Sequence, residues 1–303
     1  MRRFARPILL ICLMGLIQSP LLGQETGIGA GEVASDLLAR PFLRVMSFNI
    51  RYNNPRDSAN AWPNRKDMAA SMIRFHHADL AGLQEALKGQ IDDLAERLPG
   101  YGWFGVGRDD GLEKGEFSAI FYRRDRFELL EESTFWLSEE PEVIGSKGWD
   151  AAITRIVSWG KLRDRSTGKV FFHFNTHFDH RGVRAREESA SLLLTKIKEI
   201  AGTTPVIVTG DFNSRESSEP YRILTESAGR ESLQDARYLS VHGHHGPTGT
   251  MSGFRVAGTP GRKIDHIFVK NGVRVLQHGV LSDTFDGRFP SDHLPVLAEF
   301  VIE

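Results

Sequence analysis

Several apolar stretches of this chain end in a residue able to hold a cation, donate to an anion or move a proton. Val45–Phe48 ends in Asn49, Leu80–Gln84 in Glu85 and Phe171–Thr176 in His177. Val206–Thr209 leads through Gly210 into Asp211 and Asn213. Asp265 and His266 lie just inside the run Lys263–Val269, and Asp292 and His293 precede the last apolar run. Strand ends bring such side chains to a common rim, where loops on a rigid scaffold carry chemistry. The residue types suit a phosphoryl group. A hard divalent cation takes carboxylate oxygens and keeps several waters, which makes Glu85 a direct ligand with Asn49 and Asp292 to complete its surroundings. Asn213, His177 and Asn49 offer N–H donors to phosphate oxygens. A histidine hydrogen-bonded to a carboxylate can activate water, because the carboxylate fixes the tautomer and stabilises the imidazolium. Asp265 and His293 are the natural pair.

Taken singly, each of these residues also has an ordinary structural reading. Asn49 suits a turn at a strand end and Glu85 a helix cap. Asp211 in Gly-Asp-Phe-Asn suits an Asx turn, and Ser291-Asp292-His293 suits a loop before a strand. Those readings would have to hold at every boundary at once, so the joint pattern favours a metal–phosphate site.

The elements that must position these residues follow from periodicity and breakers. Strands are expected over Leu43–Ile50, Leu80–Gln84, Gly102–Val106, Phe117–Arg123 and Phe127–Leu137. Ile153–Leu162 and Lys169–Thr176 read as a hairpin around Arg163–Gly168, and Pro205–Thr209, Lys263–Val269, Val273–Val280 and Leu294–Val301 complete the strands. Asn53–Asn64 reads as a loop, and Pro63 as the opening residue of a helix running to about His76. Helices are also expected over Gln90–Leu98 and Glu187–Ile200, the second placing Leu193, Leu194, Ile197 and Ile200 on one side. Many strands with few interspersed helices imply sheet packed on sheet with helices outside.

The bulk composition of the 303 residues is globular, 40% hydrophobic and 25% charged. With a formal net charge of -1, the chain does not resemble a dedicated nucleic-acid binder with its basic stripe, although a local patch that grips a few phosphates can sit on a neutral protein. Arg2, Arg3 and Arg6 followed by the apolar run Pro7–Leu22 read as a secretory signal peptide over 1–24. Its cleavage would take the formal charge from -1 to -4, leave 25–40 as a flexible lead-in and 41–303 as one catalytic domain with no integral membrane segment. The protein is therefore expected to be exported, and a monomer is expected. The only cysteine, Cys12, falls inside that peptide. The exported chain would then lack cysteine nucleophiles, Cys-zinc sites and disulfides.

The ordered segments Ser47-Phe48-Asn49, Leu83-Gln84-Glu85, Asn175-Thr176-His177, Gly210-Asp211-Phe212-Asn213, Ile264-Asp265-His266-Ile267 and Ser291-Asp292-His293 resemble the exonuclease–endonuclease–phosphatase superfamily, in a secreted bacterial branch. The resemblance covers residues about 43 to 301. It implies a four-layer α/β sandwich of two mixed, mainly antiparallel sheets packed face to face with helices outside. It implies Glu85 as main ligand of Mg²⁺ or Mn²⁺, helped by Asn49 and Asp292, with Asp211 and Asn213 positioning water and phosphate. It further implies His177 on the phosphate and Asp265 orienting His293, with either Asp211 or His293 taking the proton. Arg51-Tyr52-Asn53-Asn54, Thr154-Arg155-Ile156-Val157-Ser158-Trp159 and Asp179-His180-Arg181-Gly182 with Arg184 and Arg186 look like extra motifs of the branch.

Around this core, Arg155, Asp179, His180, Arg184 and Arg186 are candidates for substrate binding, the arginines for a second anionic group. Ion pairs with acids such as Glu187 or Glu188 are the plainer reading of those arginines. Glu116 is a candidate to reach the rim, and Trp62, Trp136, Trp149 and Trp159 are stacking candidates whose plainer role is packing. His242, His244 and His245 are read as loop residues rather than as a metal site. The function expected is a metal-dependent hydrolase of a small, lipid or glycan-linked phosphate ester. An extracellular nuclease and a non-catalytic binding protein on the same fold are the alternatives, with nucleic acid less favoured on charge grounds.

Overall fold

The computed structural model describes residues 42–227, 232–258 and 261–303. The segments read as signal peptide and lead-in lie outside the described residues. The strands are β1 (Leu43–Asn49), β2 (Leu80–Gln84), β3 (Tyr101–Phe104), β4 (Ile120–Arg123), β5 (Phe127–Trp136), β6 (Ile156–Asp164), β7 (Val170–His177) and β8 (Val206–Asp211), then β9 (Gln234–Asp235), β10 (His244–His245), β11 (Asp265–Lys270), β12 (Val273–Val280) and β13 (Val296–Ile302). The helices are α1 (Lys66–Phe75), α2 (Lys88–Arg97), α3 (Val183–Ala201), α4 (Glu219–Glu226) and α5 (Ala236–Leu239).

The strands form one sheet of seven in the order β10-β12-β13-β1-β2-β4-β3 and one of six in the order β5-β6-β7-β8-β11-β9. Pairing is mainly antiparallel; β1–β2, β7–β8 and β10–β12 are parallel. Alternation along β1 divides its side chains between two cores. Val45 joins Leu80, Phe127, Leu162, Phe171, Ile207 and Phe300 between the sheets. Met46 and Phe48 point to the other face, against Met72, Ile73, Ile91 and Leu94 of α1 and α2. The outer face of the second sheet packs Phe172, Phe174, Val206 and Val208 on Leu193, Leu194 and Ile197 of α3. This is the four-layer sandwich expected, with period-2 burial in the strands and helical stripes closing both outer faces.

The apolar contact between sheets is interrupted near the rim by a buried polar chain. Gln84 Nε2 donates to Asn175 Oδ1 at 2.7 Å, and Thr209 Oγ1 reaches the same oxygen at 2.9 Å. Asn175 Nδ2 donates to the Leu83 and Ala119 carbonyls at 2.8 and 3.0 Å. Gly82 lets the two sheets approach here, because a Cβ would collide with the Thr209 hydroxyl. Buried hydrogen bonds of this kind favour one arrangement of their elements, and here they tie together the strands that end in the candidate residues.

Element boundaries depart from expectation in places. Pro63 lies in a single 3-10 turn, Trp62–Asn64; Arg65 then leaves helical geometry (φ -137°) and α1 begins at Lys66. Phe117 makes only isolated bridges to Ala86 and Gly107, so β4 starts at Ile120. The short α4, α5, β9 and β10 carry too little periodicity to read from sequence. Trp62, Trp136 and Trp159 are buried packing residues, and His244 Nδ1 lies 3.0 Å from His278 Nδ1. No helix among the described residues is long and apolar enough to cross a membrane.

Candidate active site

The C-terminal ends of the parallel pairs converge. Asn49 stands opposite Gln84 across β1–β2, and His177 stands opposite Asp211 across β7–β8. Because β11 runs antiparallel to β8, its first residue, Asp265, faces Asp211. The loop entering β13 is tied to β1 by Ser291 Oγ, which donates to the Asn49 carbonyl at 2.7 Å. That bond brings Asp292 and His293 to the same rim. A cavity of about 420 Å³ opens there, lined by Glu85, Glu116, Arg155, His177, Asp211, Asn213, Asp292 and His293, among others. A hollow of about 390 Å³ beside Phe104, Trp136 and Ile144 has acids but no histidine in its lining.

One side of the site is a carboxylate pair. Glu85 sits in left-handed backbone (φ 61°) at the end of β2, a conformation that costs a non-glycine residue about 1–2 kcal/mol. Its Oε2 accepts from the Tyr52 amide at 3.1 Å. Burial raises the Asp292 carboxyl above the usual range, and the nearby charge of Glu85 adds to the rise. Arg51 stands 3.8 Å from Glu85 and 3.9 Å from Asp292, while its hydrogen bond goes to Asp57 at 2.9 Å. It lowers the local negative charge without occupying the carboxylate oxygens. Two acidic oxygen donors whose negative charges disfavour each other fit a hard divalent cation such as Mg²⁺ or Mn²⁺.

Asn49 has a different task from the metal ligand expected. Its Nδ2 donates to Glu85 Oε1 at 3.1 Å and to Asp211 Oδ2 at 3.0 Å, while its Oδ1 accepts from the Arg51 amide at 2.9 Å. The amide nitrogen, not the oxygen, therefore faces the acids, and Asn49 bridges the two halves of the site.

The other side gathers two acids and an imidazole. His293 Nδ1 is 2.8 Å from Asp265 Oδ2 and 3.9 Å from Asp211 Oδ2. Burial opposes the His293 charge, yet Asp265, Asp211 and Asp292 together raise the imidazole well above its ordinary value. Asp211 is pushed up to about 7 by burial and by the charge of Asp265. Its Oδ1 accepts from the Asn213 amide at 2.9 Å. Asp211, Asp265 and His293 lie close enough to share an ion. His293 Nδ1 is already committed to Asp265, a carboxylate–imidazole arrangement that suits proton transfer.

His177 and Asn213 form the donor wall. Asn213, also left-handed (φ 47°), donates from Nδ2 to the Phe178 carbonyl at 3.0 Å and directs the same group to His177 Nε2 at 3.1 Å. Burial holds His177 well below its ordinary value, reinforced by the charges of Arg155 and Arg108. The imidazole is therefore neutral. With Nε2 accepting, its proton sits on Nδ1, which is buried and without a protein partner among the described residues.

Of the further residues singled out from sequence, Arg155 and His180 line the cavity. Asp179 does not serve as a substrate contact. Its Oδ1 accepts from the Arg181 and Gly182 amides at 2.8 and 2.7 Å and its Oδ2 from Ala152 and Ile153 at 3.1 and 3.3 Å, so it ties two loops together. Arg184 is 69% exposed on α3 and pairs with Glu188 at 3.6 Å, outside the cavity. Arg186 donates to the Asp179 carbonyl at 3.0 Å and borders an adjoining hollow of about 540 Å³. Glu116 does reach the rim, held by Arg108 Nη1 at 2.6 Å.

Two arginines have roles that were not anticipated. Arg65, 1% exposed, donates to the carbonyls of Ile50, Arg51, Asn60 and Pro290 and so pins the Arg51 loop to the loop before Asp292. In Asn64-Arg65-Lys66 nothing distinguishes it from a surface helix cation. Arg51 is the cation beside the carboxylate pair, and its place two residues after a strand-end asparagine is the one signal that could have found it.

Comparison with known proteins agrees with this geometry. Residues 46–293 match the model of the Endonuclease/Exonuclease/phosphatase family. A crystal structure of an endonuclease/exonuclease/phosphatase from Bacteroides vulgatus superposes with TM-score 0.82 at 42% identity, covering 87% of this chain and 100% of that one. A mannosyl-6-phosphatase from Bacteroides thetaiotaomicron superposes with TM-score 0.81 at 42% identity, covering 86% and 99%. The CCR4-Not complex 3'-5'-exoribonuclease subunit Ccr4 of Saccharomyces cerevisiae is 24% identical over 89% of this chain, which spans only 40% of that protein. With the family pattern spanning the fold and reaching from β1 to the His293 loop, this chain belongs to the endonuclease/exonuclease/phosphatase family and is a phosphoesterase of that family.

Proposed function

We propose that this protein is an exported, divalent-cation-dependent phosphatase that hydrolyses a sugar phosphate or glycan-linked phosphate by in-line attack of water. One observation carries the reading. A single cavity of about 420 Å³ holds a carboxylate pair, Glu85 and Asp292, together with Asp211, His293 and the neutral donors His177 and Asn213. That volume is of small-molecule size, and the likeness at 42% identity to a mannosyl-6-phosphatase supports a sugar phosphate as substrate. The formal charge of -1 supports no extended basic groove for a nucleic acid. Export rests on the Arg2–Arg6 and Pro7–Leu22 pattern.

A divalent cation held by Glu85 and Asp292 supplies Lewis acidity and charge neutralisation when bound. The protein's own groups do the rest. Asp211, near 7 and linked to Glu85 through Asn49, accepts the proton of the attacking water at its carboxylate. His293, kept cationic by Asp265, presents Nε2–H to the phosphoryl oxygens. His177 Nδ1–H offers a donor to the remaining equatorial charge, its tautomer set by Asn213 at Nε2. Asn49 keeps the two acids at fixed separation throughout.

The test is hydrolysis of a panel by purified protein in Mg²⁺, Mn²⁺ or EDTA. The panel holds mannose 6-phosphate and other sugar phosphates, phosphoinositides, sphingomyelin, p-nitrophenyl phosphate, bis-p-nitrophenyl phosphate, DNA and RNA. Turnover of sugar phosphates that stops in EDTA and in Glu85→Gln is the expected result. Preferential cleavage of DNA or RNA, with steep salt dependence, would replace this reading by a nuclease. Full activity in Glu85→Gln and His293→Ala would sink the site itself.

A further inference from the structure

Resting on the reading of a phosphoester hydrolase, we propose that Arg155 and His180 form a binding site for the dianionic phosphate of a monoester, and that this site makes the protein prefer monoesters to diesters. Arg155 precedes β6 and is 4% exposed. Its guanidinium stays charged under all ordinary conditions, and a charge out of water is costly unless its N–H groups are met. Nε and Nη1 of Arg155 are buried with no hydrogen-bond partner among the described residues.

The acids around Arg155 are committed elsewhere. Asp179 stands 3.7 Å from Nε, but both its oxygens are taken by the four backbone amides of residues 152, 153, 181 and 182. Glu116 is bound by Arg108 at 2.6 Å. Asp211 accepts from Asn49 and from the Asn213 amide. These bonds commit the carboxylates to other donors, and Arg155 lines the cavity.

The remaining nitrogen of Arg155 fixes its neighbour. Nη2 lies 3.2 Å from His180 Nδ1. A guanidinium can only donate, so His180 Nδ1 accepts and its proton resides on Nε2. Burial and the charge of Arg155 hold His180 below its ordinary value, in keeping with this neutral tautomer. Arg155 and His177 line the same cavity, and the charge of Arg155 helps hold His177 below its ordinary value. The unpartnered N–H groups of Arg155 and the Nε2–H of His180 are thus donors left for an anion. A phosphate monoester carries close to two charges near neutral pH and three non-bridging oxygens, charge and acceptors that suit these donors. A diester has one charge and one oxygen fewer to offer.

Two measurements on the full chain test this. The first is orthophosphate binding in EDTA, read as the shift in melting temperature and by calorimetry, for wild type, Arg155→Met, Arg155→Lys and His180→Ala. Phosphate should stabilise the wild type, act at least about 10-fold more weakly on Arg155→Lys, and leave Arg155→Met unshifted. The second is the ratio of kcat/KM for p-nitrophenyl phosphate to that for bis-p-nitrophenyl phosphate with Mg²⁺ or Mn²⁺. Arg155→Met should lower the monoester value at least about 10-fold more than it lowers the diester value. Should Arg155→Met not fold, Arg155→Lys, which keeps the charge and loses the fork, is expected to shift the ratio in the same direction by about 10-fold. Equal losses on both substrates, or undiminished phosphate binding by the variants, would overturn the proposal. Retained activity in Glu85→Gln would instead overturn the underlying hydrolase reading and leave the phosphate-binding result to stand by itself.

Discussion

Asp265 and His266 are neighbours on β11, yet they belong to two clusters of the same composition and opposite character. Asp265 joins Asp211 and His293; His266 joins Glu216 and Asp235. Each cluster is two acids and one imidazole. In the second, Lys263 Nζ sits between Glu216 at 2.8 Å and Asp235 at 3.0 Å, and Tyr221 and Tyr238 donate to the same two acids at 3.0 and 2.8 Å. Despite its burial, hydrogen bonding to His266 and the charge of Lys263 hold Asp235 far below the carboxylate range. In the first cluster no lysine or arginine is hydrogen-bonded to either acid among the described residues. There Asp211 rises to about 7. Residue type alone does not make a reactive centre; a resident cation turns the same set into a brace.

The comparison breaks most readily at His293. His293→Ala should reduce kcat by about 10³-fold or more while the protein keeps its fold, checked by steady-state kinetics beside a thermal melt. Lys263→Met should do the reverse. Removing one partner of a buried ionic cluster costs about 3–5 kcal/mol, so the melting temperature should fall by roughly 10 °C, with kcat/KM changed less than about 3-fold. A melting temperature unmoved by Lys263→Met would mean that Lys263 braces nothing.

Asp211→Asn sharpens the contrast by adding stability as it removes activity. The folded value of Asp211, about 7, lies above its unfolded value of 3.8. Its contribution to stability is therefore complete below pH 3.8 and is lost as pH rises to about 7. Measured by denaturant titration in EDTA, Asp211→Asn should gain on wild type across that window, reaching about 1–4 kcal/mol at neutral pH. A difference independent of pH would contradict the raised carboxyl. The smallest effect is expected at Arg184, whose exposed pair with Glu188 predicts that Arg184→Ala changes stability by less than about 0.5 kcal/mol and leaves kinetics alone.

The rim was legible in the sequence because strand periodicity is local. An apolar run that ends in Asn49, Glu85, His177 or Asp211 announces both a strand and where its useful residue emerges. The parallel and antiparallel registers then had only to bring those ends together. The arginines were not legible in the same way. Arg184, Arg186 and Arg155 look alike along the chain, but their environments run from 69% exposed for Arg184 to 4% for Arg155. Asp179 follows the strand-end histidine closely and invites a substrate role, yet its oxygens are turned to backbone amides that come together only in the fold.

By itself, the sequence determined the layers of the sandwich and the identity of the groups on its rim, since both depend on side-chain periodicity and on which residue follows each strand. The tertiary structure decided what those groups do. Hydrogen bonds between residues as far apart as Asn49 and Asp211 set which carboxylate is bridged, which imidazole is neutral and which cation is left unmet. Charge and protonation in a buried site depend on the partners within a few ångströms, and those partners are chosen by the register and packing of distant strands.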